Sequence, residues 1–359
     1  MKKIGIITTG GDCSGLNAVI NSAATGVWKR GWRIYGILDG TDGLAASKPH
    51  IVEITPDTMP PETARLAGSV LRNGRPDATN FISAEKNGHL AQFNKSIKKS
   101  LHELNLDALI LVGGNGSLSL AWTTREIYSD LQLICIPKTI DMDIPLTDKT
   151  IGFDTAVQQL TSFCDQLMMT ARSHHRWFVV QSMGRECGQL ALHAGIASGA
   201  TAILMPEIKF NTSDLIKHIQ KSKTDYGVIL VSEGIKMRGH SGRPADMISR
   251  ELDKAGISNR TAYPEHTQRT GDTTACDRIL AARFADCALH AIENNETYVM
   301  TALQDNICKT ISLDDVINAG HPMPDPNIHG LVISNACVEP DNKMLHIAQE
   351  MGIYIGKTK

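Results

Sequence analysis

Short apolar runs alternate with stretches of helical periodicity along most of this chain, and many of the runs end in a glycine-rich or polar loop. The runs Ile4–Thr8, Arg33–Leu38, Ala108–Val112 and Leu131–Ile136 predict strands, while Leu16–Lys29 and Ser117–Tyr128 read as helices. Gly31 is placed to end the first of these helices as a C-cap. A second series predicts helix Thr155–Ala171, strand Trp177–Ser182, helix Gly188–Ser198, strand Ala202–Met205, helix Ser213–Lys221 and strand Val228–Ser232. Two strands joined through a helix pair in parallel, because the crossover is too long for a hairpin. The expected fold is therefore α/β, with two similar lobes, each a mostly parallel sheet covered by helices. The loop Asp141–Asp154 separates the two series.

Ligands of such folds bind beyond the carboxyl ends of the strands, and three loops of unusual composition fall there. The first is Thr8-Thr9-Gly10-Gly11-Asp12-Cys13-Ser14-Gly15-Leu16-Asn17. Its glycines let the backbone approach an anion, and the helix start that follows offers free N–H groups. It lacks the lysine of a Walker loop and the spacing of a dinucleotide turn, and a plain tight turn would use the same residues. The second is Gly113-Gly114-Asn115-Gly116-Ser117, where Ser117 has the competing role of helix N-cap. The third is Pro137-Lys138-Thr139-Ile140-Asp141-Met142-Asp143. A cation, a hydroxyl and two carboxylates at a strand end can position and deprotonate an acceptor during phosphoryl transfer. A solvated loop would also favour the aspartates.

Composition narrows the field. A net charge of −2 with no long run of one sign argues against a nucleic-acid surface. With 359 residues, 42% apolar and 21% charged, the chain is globular rather than disordered. No stretch reads as a signal peptide or membrane span, so a cytoplasmic location is expected. Eight cysteines without a Cys-x-x-Cys pair are expected to be free thiols, with no zinc site.

Three later motifs complete a pattern: Gly152-Phe153-Asp154-Thr155-Ala156, Met183-Gly184-Arg185 and His266-Thr267-Gln268-Arg269. Taken in order with the three loops, they resemble the phosphofructokinase family from Lys3 to about Arg278, with looser similarity beyond. The resemblance implies transfer of a phosphoryl group from ATP, with Mg²⁺, to the 1-hydroxyl of fructose 6-phosphate. It implies a donor lobe of residues 1–150 plus about 265–315, and a sugar-phosphate lobe of 151–264 plus about 316–359. Asp141 would be the base, with Thr139 and Arg185 stabilising the group in transfer. Gly10, Gly11, Arg75, Gly114, Asn115, Gly116, Ser117 and Lys138 would hold the donor, and Asn115 and Asp143 the metal.

On the acceptor side, Arg176, Arg260, His266 and Arg269 would hold the sugar's phosphate, with contributions from two subunits. Glu233 would accept from the sugar hydroxyls, Met183 and Gly184 would line the ring, and Ile140 would complete the site. His174 and His175 are expected to be positioning or core residues. A shared site implies a homo-oligomer, at least a dimer and more readily a tetramer.

Two positions bear on the donor. Gly116 matches ATP users, since an aspartate there would fill the place of the α-phosphate, whereas Lys138 is shared by pyrophosphate users and one group of ATP users. Asn115 stands where the family has an aspartate, and Met142 where it has an asparagine. Pro264-Glu265 also departs from the family, and Glu265 would bring a negative charge beside the phosphate cluster. These departures leave a pyrophosphate donor, another sugar phosphate such as sedoheptulose 7-phosphate, or a catalytically weak regulatory paralogue as rival readings.

Overall fold

The computed structural model describes residues 1–73, 90–237, 241–323, 332–334, 338–339 and 341–357. In chain order the strands are β1 (Lys3–Thr8), β2 (Arg33–Ile37), β3 (Ile51–Glu53), β4 (Ala108–Gly113) and β5 (Gln132–Pro137), then β6 (Trp177–Ser182), β7 (Ala202–Leu204), β8 (Gly227–Ser232) and β9 (Asn259–Ala262). The last four are β10 (Val299–Gln304), β11 (Ile307–Ser312), β12 (His321–Met323) and β13 (Val332–Ser334). The chain divides into two compact units. The first comprises Met1–Thr139, Asp143–Asp154 and Gly271–Ala336; the second comprises Ile140–Met142, Thr155–Thr270 and Cys337–Lys359.

The first unit holds a seven-stranded sheet in the order β11-β10-β5-β4-β1-β2-β3. Its five inner strands run parallel, and the edge strands β3 and β11 are antiparallel to their neighbours. Unbroken apolar sequence in β4 and in β5 from Leu133 onward fits strands covered on both faces, and every residue of β4 is buried. The helix Leu16–Lys29 lies where its periodicity places it, and Gly31 (φ +67°) bonds its N–H to the Trp28 carbonyl. The predicted helix Ser117–Tyr128 is instead a helix Asn115–Thr123 followed by a 3₁₀ turn Arg125–Tyr128. Gly114, not Ser117, is its N-cap.

Register decides what this sheet can present. Thr8 pairs with Val112, and Gly113 with Pro137, so β1, β4 and β5 end level. The three loops singled out in the sequence therefore leave one edge together. The strand order reverses between β1 and β4, the kind of switch point at which open α/β sheets form a ligand crevice.

The second unit holds a four-stranded parallel sheet, β7-β8-β6-β9. Ser182 pairs with Ser232 and Val180 with Ala262, so the segments beginning at Met183, Glu233 and Tyr263 also share an edge. Seven cysteines are described, all free, and Cys337 lies outside the described residues. Burial pushes the Cys135 and Cys164 thiols up to about 12, which keeps them protonated and unreactive at neutral pH.

Candidate active site

The donor-side loops of the first unit are tied to one another by side chains. Lys138 is buried, and its ammonium donates to the carbonyl of Thr9 at 3.0 Å and to that of Gly11. Thr9 donates from Oγ1 to the Ser117 hydroxyl at 2.7 Å. Ser117 thus braces two glycine turns rather than capping its helix. Asn17, last residue of the first turn, bonds the Leu66 carbonyl at 3.1 Å and accepts from the Val70 N–H at 2.8 Å. Its role is to hold the Leu66–Val70 segment. Arg75 lies outside the described residues.

Gly116 differs from its neighbours. Its φ is not positive, and a Cβ added there would meet nothing within 4 Å. Neither backbone geometry nor packing therefore requires glycine, although glycine costs about 1 kcal/mol relative to alanine inside a helix. What remains is open space beside the start of a nine-residue helix, whose first N–H groups lack intrahelical acceptors.

Asn115 is buried and donates from Nδ2 to the Asp143 carbonyl at 3.1 Å. Its Oδ1 is buried without a hydrogen-bond partner. Leaving a buried acceptor unmet costs about 1–3 kcal/mol, a cost that a cation or donor reaching this atom would relieve. Asp143 is also buried. An amide oxygen and a carboxylate suit a hard cation that takes its other ligands from water and phosphate oxygens. The donor set fits Mg²⁺, although no cluster of three or more His, Cys, Asp or Glu side chains that could hold a metal occurs among the described residues.

The base loop is divided, with Thr139 and Asp143 in the first unit and Ile140–Met142 in the second. Thr139 donates its N–H to the Ile151 carbonyl at 3.1 Å, and its own carbonyl accepts from the Thr150 hydroxyl at 2.8 Å. Met142 has φ +53°, a left-handed conformation in which asparagine is far more at ease than methionine. The departure at this position therefore stores strain between the two aspartates.

In the second unit the Asp141 carboxylate is 6% exposed, and the Arg185 Nε lies 3.7 Å from its Oδ2. The Arg185 side chain is 70% exposed, so the pair adds little stability and leaves the guanidinium accessible to a ligand. The backbone that presents Arg185 is unusual. Gly184 has φ +130°, and an added Cβ would sit 2.4 Å from the Cys187 carbonyl oxygen, so no side chain is admitted. Glu233 accepts from the N–H groups of Gly184 at 3.1 Å and Arg185 at 2.8 Å through one oxygen, Oε1. Ile140 is fully buried beside this chemistry in sequence.

The four cations expected at the sugar's phosphate fall at two different ends of the second unit's sheet. Arg176 directly precedes β6, and Arg260, level with Phe178, turns its guanidinium back onto the Asn259 carbonyl. Both belong to the amino end of the sheet, and the Arg176 Nε is buried with no acceptor. His266 and Arg269 follow the carboxyl end of β9, in the 3₁₀ helix Glu265–Arg269. At about 3.3 Å per residue the length of β6 puts about 20 Å between the two ends.

His174 and His175 are exposed, not core, and His175 pairs with Asp225 at 2.8 Å. Glu265 is drawn to Arg243 at 2.8 Å, so its charge is paired rather than turned on the phosphate cluster.

A family model described as Phosphofructokinase matches residues 3–292. A Nostoc sp. protein described as ATP-dependent 6-phosphofructokinase 1 is 33% identical over 376 residues, covering 99% of this chain and 99% of that protein. The ATP-dependent 6-phosphofructokinase of Natranaerobius thermophilus is 34% identical over 335 residues, covering 92% of this chain and 98% of that protein. Among solved structures, a phosphofructokinase from Saccharomyces cerevisiae has a TM-score of 0.78 at 25% identity. That match covers 89% of this chain, which spans 45% of the yeast chain. A pyrophosphate-dependent phosphofructokinase from Marinobacter aquaeolei has the same TM-score at 18% identity, over 100% of this chain and 93% of that one, a likeness of fold.

Proposed function

The chain belongs to the phosphofructokinase family, and from that premise we propose that it transfers the γ-phosphoryl group of ATP to the 1-hydroxyl of fructose 6-phosphate. The observation that carries this reading is the buried Asp141 carboxylate beside an accessible Arg185. Asp141 accepts the proton of the 1-hydroxyl as that oxygen forms its bond to the γ-phosphorus. The bond from the γ-phosphorus to the bridging oxygen breaks, and ADP leaves. Arg185 and Thr139 neutralise charge on the transferring oxygens, which is most of what phosphoryl transfer asks of a protein.

Asn115 and Asp143 would hold Mg²⁺, whose charge offsets that of the donor phosphates. ATP is favoured as donor by the open space over Gly116 and by the names of the relatives. Lys138 does not argue for pyrophosphate, because its bonds to Thr9 and Gly11 account for a lysine at this position. The phosphate of the sugar is held by His266 and Arg269 of one chain with Arg176 and Arg260 of a second copy. The separation of the two pairs along β6 supports this shared arrangement and hence a homo-oligomer. The reaction is that of glycolysis, and the cytoplasm is its expected setting.

The test supplies fructose 6-phosphate and Mg²⁺ with ATP or pyrophosphate in parallel and measures fructose 1,6-bisphosphate. Turnover with ATP is expected. Silence with both donors, while fructose 6-phosphate still binds, would overturn the kinase reading in favour of a regulatory subunit.

Asn115→Asp gives a second expected result. It replaces the donor to the Asp143 carbonyl with a carboxylate oxygen, so the metal-free protein should lose about 1–2 kcal/mol of stability. Mg²⁺ should restore that loss and saturate turnover at a lower concentration than in the unaltered protein. Thermal melts and Mg²⁺ titrations read both, and an unchanged Mg²⁺ requirement would show that Asn115 is not a ligand.

A further inference from the structure

We propose that Gln268 is a positioning residue for Arg185, and that it links the phosphate-binding turn to the loop that carries the catalytic guanidinium. The inference rests on the kinase reading above for its kinetic readout, but its geometry stands apart from it.

Gln268 is 1% exposed, and both ends of its amide are used. Oε1 accepts from the Met183 N–H at 3.1 Å, and Nε2 donates to the Glu265 carbonyl at 2.9 Å. Reversing the amide would set oxygen against oxygen and nitrogen against N–H, so a single orientation is satisfied. With Glu233 holding the next two N–H groups, the backbone donors of Met183, Gly184 and Arg185 are all taken by two side chains. This capture keeps the segment in a shape it would not hold alone. Arg185 sits at φ +51° and Glu265, at the other end of the amide, at φ +44°. A left-handed conformation costs a non-glycine residue about 1–2 kcal/mol, and such strain persists only where surrounding contacts over-determine it.

The position of Gln268 in the chain gives the link its meaning. It lies between His266 and Arg269 on the 3₁₀ helix Glu265–Arg269. The side chains expected to meet the sugar's phosphate and the amide that fixes Met183 thus share one short rigid turn. An anion that settles that turn also settles the backbone leading to Arg185.

The experiment compares Gln268→Met, similar in length without polar atoms, with Arg185→Ala and the double variant. Gln268→Met should lower kcat by about 10- to 100-fold, the scale of a misplaced catalytic group, while KM for ATP stays within about twofold. In the Arg185→Ala background the same change should cost less than about threefold more, since residues that act as a unit are non-additive. An unchanged kcat, or losses that multiply in the double variant, would overturn the proposal.

Gln268→Glu supplies a second arm should the methionine variant fold poorly. Its carboxylate keeps an acceptor for Met183 but loses the donor to the Glu265 carbonyl, and regains one when protonated. Burial raises such a pKa, so its kcat relative to the unaltered protein should rise as pH falls, and a flat ratio would count against the proposal. Hydrogen exchange at the Met183 amide gives a reading independent of turnover. Loss of protection in Gln268→Met is expected, and unchanged protection would overturn the inference. Lack of turnover in the unaltered protein would sink the kinase reading without touching that measurement.

Discussion

Asp141→Asn should lower turnover by about a thousandfold while leaving the protein folded, the range for loss of a general base being about 10²- to 10⁴-fold. The substitution keeps shape and hydrogen-bonding reach, and it removes the negative charge together with the ability to accept and hold a proton. Stability should not fall. The carboxylate is 6% exposed, and its charged neighbour Arg185 is 70% exposed, so the ion pair is largely screened and contributes little. Neutralising a buried carboxylate also removes a desolvation cost. KM for fructose 6-phosphate should shift by only a few fold, because the asparagine can still bond the 1-hydroxyl in the ground state. Turnover within about threefold of the unaltered protein would mean that another group takes the proton.

The parts of the fold visible in the sequence are those whose burial leaves a simple trace. β4 and the Leu133–Pro137 part of β5 are apolar runs buried along their whole length, and Trp177–Ser182 coincides with β6. β9 reads Asn-Arg-Thr-Ala, and its place in the sheet owes more to the Asn259 side chain, bonded to Asp253 and to the carbonyls of Ser249 and Ile257, than to apolar content. The hairpin β10–β11 turns on Asp305-Asn306, both at positive φ, where the stronger local signal would end in glycine.

The site divides along the same line. Loops at strand ends announce themselves by composition, and Gly10–Asn17, Gly113–Ser117 and Lys138–Asp143 do leave one edge of the first unit's sheet or begin there. What the sequence conceals is partnership across distance. Gln268 bonds a residue 85 positions away, and Lys138 holds carbonyls 129 and 127 positions away. No spacing rule reports such pairs, and the same is true of the ion pair that takes up Glu265. Met142 is a milder case. Replacement of asparagine reads as a lost polar contact, whereas the conformation at φ +53° shows that backbone strain is also at stake.

Gly116→Asp should move stability and activity in opposite directions, which makes it the sharper probe of the donor. Glycine at this position is not needed by the fold, since its φ is ordinary and nothing lies within 4 Å of an added Cβ. Replacing it relieves part of the glycine penalty of about 1 kcal/mol, and a carboxylate in the first helical turn gains about 0.3–1 kcal/mol from the helix dipole. The variant should therefore melt slightly higher than the unaltered protein. Its kcat/KM for ATP should fall by at least about 100-fold, because the new side chain fills the space proposed for the α-phosphate and opposes it with like charge, a penalty of several kcal/mol across a recognition surface. Pyrophosphate has no α-phosphate to displace, so any activity with it should survive. Gly116→Ala separates the two causes, adding bulk without charge, and should cost ATP less. A protein that melts higher and loses ATP would mean that this glycine is retained against the preference of its own helix for the sake of the nucleotide. One that melts higher and keeps ATP would place the nucleotide elsewhere and leave the glycine without a ligand to explain it.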